Sequence, residues 1–207
     1  MTRRLAVPDR RGGSSSTAQA KGIIACDFLH ADTITGRRIY ILIFVEHASR
    51  RLHVAGVAAA PTGGWVTQQA RNLAMTLDRR MESLRFLIRD RDTKYLPSFD
   101  GVFDADGVEI IKSPPRAPKA NSVCERLVGT LRREVLDRIL IVNERHLLEV
   151  LGEFRCHYNE HRPHQELDPR SPDDPVKVPT PVVDLAQTQI RRRPILGGLI
   201  NEYHRVA

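Results

Sequence analysis

The chain has 207 residues, enough for one sizeable core with tails, and 41% of them are hydrophobic, which excludes wholesale disorder. Its net charge of +7, from 32 Lys+Arg against 25 Asp+Glu, favours a polyanionic partner. The longest apolar run, Ile39 to Val45, is far short of a membrane span, and the N-terminus lacks the apolar segment of a signal peptide.

Residues 1–20 are rich in Arg, Gly and Ser and read as a flexible basic arm, too short for a folded DNA-reading module. Three strands follow, over 22–29, 38–45 and 51–58. Their short turns predict an antiparallel meander. Pro61-Thr-Gly-Gly64 breaks the pattern, and residues 65–80 have helical spacing, with Trp65, Ala70, Leu73, Ala74 and Leu77 toward a core. A strand over 84–88, a short helix over 96–105 and a strand over 108–111 come next. Three prolines between 113 and 118 forbid regular pairing and predict a loop. A long helix is expected over 119–138, with Leu127, Leu131 and Val135 on one side and Asn121, Glu125, Gly129 and Arg132 on another. A further helix spans 143–160 and is stopped by Pro163. Prolines then multiply, so residues 169–207 read as an extended Pro-rich tail after a core at 21–168. That tail contains Arg191-Arg-Arg193 and an apolar patch, Ile195 to Ile200.

Cys26, Cys124 and Cys156 are odd in number and form no CxxC pair, which points to idle thiols in a reducing cytosol rather than a disulfide or zinc framework.

Three acids stand in suggestive settings. Asp27 interrupts an apolar strand, Asp90 closes another, and Glu125 lies early in the long helix. A carboxylate among core-type residues is costly to ionise unless something pairs with it. Three that converge would suit hard divalent cations, and with a basic surface that suggests phosphodiester chemistry. Each acid also has an ordinary reading: a strand-edge carboxylate, a self-neutralising Arg-Asp-Arg-Asp loop, and a helix-surface acid favoured by the helix dipole. Asp92 competes with Asp90, and Asp32 with Asp27. Arg116, Lys119, Arg126, Arg132 and Arg133 read either as a solvated face or as phosphate contacts that position DNA without reading bases. Asn121 reads as a helix N-cap.

The element order resembles the RNase H-like fold, a mixed five-stranded sheet between helices. That topology implies Asp27 on the central strand, Asp90 just past its neighbour, and Glu125 on a helix packed against both. Four stretches make the resemblance more specific: Cys26-Asp27-Phe28, Asp90-Arg-Asp-Thr-Lys-Tyr95, Pro115-Arg-Ala-Pro118-Lys-Ala-Asn121-Ser-Val-Cys-Glu125, and Tyr158-Asn159-Glu-His-Arg162-Pro163-His164. Over residues 21–172 the chain resembles the catalytic core of the DDE transposase and retroviral-type integrase superfamily, nearest to insertion-sequence transposases. The resemblance implies two Mg²⁺ or Mn²⁺ ions on Asp27, Asp90 and Glu125, Asn121 near substrate DNA, and metal-dependent DNA cleavage and strand transfer. It implies DNA and further copies of the chain as partners, with an upstream helix-turn-helix region or protein to recognise element ends, and a nucleoid-associated cytoplasmic location. Two features depart from the pattern. The interval between Asp90 and Glu125 is one residue shorter than usual, and Asp92 stands where Gly is common, a turn position that Asp tolerates better than most residues. A hydrolytic nuclease of the same fold, or an inactive remnant that binds DNA, are the rival readings.

Overall fold

A computed structural model describes residues 22–113, 121–167, 170–174 and 189–206. Five strands form one sheet: β1 (Ile23–Asp32), β2 (Arg38–Glu46), β3 (Leu52–Ala58), β4 (Phe86–Arg89) and β5 (Glu109–Lys112), in the order β3-β2-β1-β4-β5. β1 pairs antiparallel with β2 and parallel with β4, β2 pairs antiparallel with β3, and β4 pairs parallel with β5. The mixed sheet expected from the element order is therefore present, with β1 at its centre.

Helices cover both faces, which is why β1 and β2 are apolar almost throughout. On one face α1 (Gly63–Leu77) and α2 (Pro97–Asp104) bury Val66, Leu73, Phe99 and Phe103 against Ile24, Cys26, Leu42 and Phe44. On the other, α3 (Ser122–Leu131) and α4 (Glu144–Glu160) bury Leu127, Leu131, Leu151 and Phe154 against Ala25, Leu29, Ile41 and Ile43. Thr62 caps α1, its hydroxyl accepting from the Trp65 N–H, so the helix begins two residues before the periodicity predicts.

Two elements differ from the sequence reading. The helix expected over 119–138 is α-helical only to Leu131 and continues as a π-turn over Arg132–Leu136. Its first two residues, 119 and 120, lie outside the described residues. Residues 189–206, which the sequence reading places in an extended tail, form an antiparallel hairpin of β6 (Gln189–Ile195) and β7 (Ile200–Val206). The turn needs positive φ at Gly197 and Gly198, which glycine supplies without strain. Ile195 and Leu196 are buried in the α3/α4 core, and Glu153 Oε1 accepts the Leu196 N–H at 2.8 Å. The apolar patch thus packs on its own chain.

Candidate active site

Strand alternation sets which way β1 presents its acid. Ala25, Leu29 and Ala31 join the core under α3 and α4, whereas Ile24 and Cys26 join the opposite one. Asp27 shares the parity of Ala25 and Leu29 and so faces α3. The parallel register, Ala25 opposite Ile88, carried two residues further puts Asp27 level with Asp90. Asp90 follows the last residue of β4 and is half-buried.

α3 brings the third carboxylate. Cys124, Leu127 and Leu131 are buried against β1 and β2, which fixes the helix on the sheet and leaves Glu125 exposed in its first turn. The start of the helix is tied down by Asn121, whose Nδ2 donates to the Cys26 carbonyl at 3.3 Å. Asn121 stands at the N-cap position without capping the helix through its side chain. It is 7% exposed, its amide nitrogen is committed to β1, and its Oδ1 has no hydrogen-bond partner. This bond gives Asn121 a role in positioning α3.

The electrostatics show that these acids share one region. Burial pushes the Asp27 carboxyl up to about 6, and repulsion from Asp90, Glu125 and Asp92 adds to the rise, against the Phe28 N–H that donates to Asp27 Oδ1 at 2.8 Å. Among the described residues, no Lys or Arg lies within ion-pair distance of the Asp27, Asp90 or Glu125 carboxylates. Gathered carboxylates without a counter-charge fit hard cations, which take oxygen ligands. The trio is not a cage for a single ion. Among the described residues the one group of three His, Cys, Asp or Glu with ligand atoms all within 4.8 Å is His161, Glu202 and His204. Two ions about 3.5–4 Å apart would be shared across a wider trio.

The competing acids are engaged elsewhere. Asp92 Oδ2 is 2.7 Å from Lys94 Nζ, and its Oδ1 accepts the Lys94 N–H at 2.9 Å. Burial opposes ionisation of Asp92, but these bonds outweigh it and hold the carboxyl below its ordinary range. Asp32 lies at the exposed end of β1 and receives Arg38 Nε and Nη2 at 3.0 and 3.3 Å. The Arg-Asp-Arg-Asp segment does not neutralise itself as its charge pattern suggests. Arg89 is buried, makes a two-point pair with Asp100 at 2.8 and 2.7 Å, and donates from Nη1 to the Asp90 carbonyl at 2.8 Å. This bond holds the strand end that carries Asp90. Burial also pushes the Cys26 and Cys124 thiols up, so neither supplies a thiolate nucleophile.

The expected DNA-contacting cations separate. Arg132 follows Glu125 along the helix by seven residues and bears electrostatically on His30 and Asp32, on the acid side. Arg133 is exposed and lies over Gly129, where an added Cβ would meet its Nη1 at 3.1 Å, so that face is covered rather than open. Arg126 lines a cavity of about 260 Å³ with Arg50, Tyr158, Arg162 and His164. Arg116 and Lys119 lie outside the described residues. The Tyr158–His164 segment has a packing role. Asn159 Oδ1 accepts the Leu52 N–H and its Nδ2 donates to the Leu52 carbonyl, both at 2.9 Å, while Arg162 makes a two-point pair with Glu134.

Comparison with known proteins agrees with this architecture. Residues 106–172 match the sequence family described as integrase core domain. A comparison with curated proteins finds no match. Among solved structures, the simian T-cell lymphotropic virus intasome in complex with a PP2A regulatory subunit is similar at TM-score 0.57 and 13% identity, over 90% of this chain and 67% of that one. The catalytic core domain of BIV integrase is similar at 0.52 and 15%, over 73% and 91%. The Mos1 transposase catalytic domain, solved with raltegravir and Mg, is similar at 0.56 and 11%, over 68% and 79%. At these identities the likeness shows the fold alone, an RNase H-like mixed sheet between helices.

Proposed function

We propose that this chain is the catalytic core of a DNA transposase that cleaves and joins DNA at Asp27, Asp90 and Glu125. The observation that carries the reading is a buried Asp27 repelled by Asp90 and Glu125, with no Lys or Arg among the described residues within ion-pair distance of them, on the fold of integrase and transposase cores. These three would hold two Mg²⁺ or Mn²⁺ ions. When bound, such ions supply the Lewis acidity for in-line displacement at phosphorus.

The residues around them do the positioning. Asp27, on the central strand, is fixed by its neighbours on both faces of the sheet. Asp90 is held through the Arg89 bond to its carbonyl, and Glu125 through the Asn121 anchor of α3. Arg132 would bind backbone phosphate beside the acids, and Arg116, Lys119, Arg126 and Arg133 would make further phosphate contacts. In the first step water attacks the phosphorus at the element end, a P–O bond forms, and the 3′-oxygen leaves as a hydroxyl. In the second step that hydroxyl attacks a target phosphodiester, forming one P–O bond and breaking another. DNA ends and a second copy of the chain are the partners this reaction requires. A helix-turn-helix region or protein would supply end recognition.

The test is an assay of the purified protein with Mn²⁺, a labelled duplex from the inverted repeat flanking its gene, and a plasmid target. Glu125→Gln should lower both cleavage and joining by on the order of 100-fold or more, since the loss of partners outside the first ligand shell alone costs 10–100-fold. Undiminished cleavage in that variant would remove Glu125 from the chemistry. Cleavage without joining would mark a hydrolytic nuclease, and binding without either step an inactive remnant.

A further inference from the structure

We propose that His161, Glu202 and His204 form a structural zinc site that clips the C-terminal hairpin to the end of α4. The site is separate from the acidic trio, and no part of the catalytic reading is needed for it.

The hairpin is poorly secured by packing. Six of the seven residues of β6 are exposed; Ile195 and the adjoining Leu196 are buried in the core, and Leu199 and Ile200 pack against its edge. A two-stranded hairpin is marginal without further support. Yet β7 buries a carboxylate. Glu202 has 3% side-chain exposure, and its two oxygens have different partners. Oε1 is 2.9 Å from Nδ1 of His157, one helical turn before His161 on α4. Oε2 faces Nε2 of His204 at 3.3 Å and Nε2 of His161 at 3.7 Å. The second distance is too long for a hydrogen bond. Two imidazoles therefore converge on one buried oxygen, and their rings stand edge to face with centroids 5.1 Å apart.

Those separations suit a bound ion. Ligand atoms about 2.0–2.1 Å from a tetrahedral zinc lie roughly 3.3 Å from one another. Here two edges measure 3.3 and 3.7 Å, and all three ligand atoms lie within 4.8 Å. Two imidazoles and one carboxylate are zinc's borderline ligands rather than the all-oxygen set that magnesium prefers. His157 on the far carboxylate oxygen is the outer partner that orients a ligating carboxylate. The fourth position falls to water or to Glu160, whose Oε2 is 3.8 Å from Nε2 of His161. The other charge facing the site is Arg193, whose Nη1 is 3.9 Å from Glu202 Oε2. It is 65% exposed at the side chain and can turn outward. The ion would fix a hairpin whose exposed strand carries Arg191, Arg192 and Arg193.

The full chain, stripped with EDTA and dialysed into excess Mg²⁺ to occupy the acidic trio, is titrated with Co²⁺ and then Zn²⁺. The wild type should take one equivalent of Co²⁺, develop the visible bands of a four-coordinate site, and lose them as Zn²⁺ displaces the cobalt. His161→Ala and His204→Ala, at positions about a third exposed, should keep the fold by circular dichroism and bind at least about 100-fold more weakly, the loss of a ligand exceeding that of an outer partner. Asp27→Asn should bind as the wild type does. A wild type that takes up no tight equivalent overturns the proposal, as do histidine variants that retain it. Loss of binding in Asp27→Asn alone would move the metal to the acidic trio and overturn it equally.

Discussion

Burial in β1 pushes the Asp27 carboxyl up to about 6, from an ordinary value of 3.8, and the nearby carboxylates of Asp90, Glu125 and Asp92 add to the rise. The sign of the consequence follows from proton binding. The folded state holds this proton more tightly than the unfolded chain does, so the contribution of Asp27 to stability falls as pH rises from about 4 to about 6. The shift corresponds to at most about 3 kcal/mol at 1.36 kcal/mol per unit. In EDTA, Asp27→Asn should match the wild type near pH 4 and exceed it by up to that amount near pH 7. Urea unfolding at a series of pH values measures the difference. A gap that does not change with pH would show that the carboxyl ionises without penalty. At this scale the sequence showed which acids stood out but not their neighbours. Nothing in the sequence separates Asp92 from Asp90; the Lys94 ammonium on the Asp92 carboxylate does.

Elements carry these residues, and α4 shows how. Its extent over 143–160 is legible in the sequence, and its apolar face, Leu147, Leu151, Phe154 and Tyr158, is spaced for burial. Its docking angle depends on Asn159, which replaces a strand partner for both backbone groups of Leu52. Asn159→Ala would leave a buried N–H and a buried carbonyl unpaired, at about 1–3 kcal/mol each. The expected outcome is a loss of about 2–4 kcal/mol in chemical denaturation with the fold retained. A loss below about 0.5 kcal/mol would mean that water reaches β3 in its place. The hairpin was missed for the opposite reason. Its strand β6 reads Gln-Ile-Arg-Arg-Arg-Pro-Ile, with no alternation to betray it, because only its last residue meets the core.

Across the whole molecule, the excess of 32 Lys+Arg over 25 Asp+Glu is not spread evenly around the acids. Arg132 stands on the acid side of α3, while Arg126 turns to the cavity beside Arg162. If Arg132 and Arg133 bind DNA, each phosphate contact should contribute about −0.9 to the slope of log affinity against log salt. Arg132→Ala and Arg133→Ala should each weaken duplex binding and flatten that slope by about one, as measured by fluorescence anisotropy from low to physiological salt. An unchanged slope would return them to the solvated face.

Alternation, helical period and proline placement are local properties, so the chain by itself determined the order of the five sheet strands and the helices among them, the core-facing residues of α1 and α3, and the three acids worth following. Tertiary structure alone decided which of those acids face one another, that Arg89 reaches Asp100 rather than its adjacent aspartates, that Asn121 is buried, and that His157, His161 and His204 meet around Glu202. Most of these contacts join residues far apart in the chain, 11 positions for Arg89–Asp100 and 95 for Asn121–Cys26. No local rule constrains pairs at that separation. They exist only once burial of the two apolar faces has fixed the sheet and helices in register.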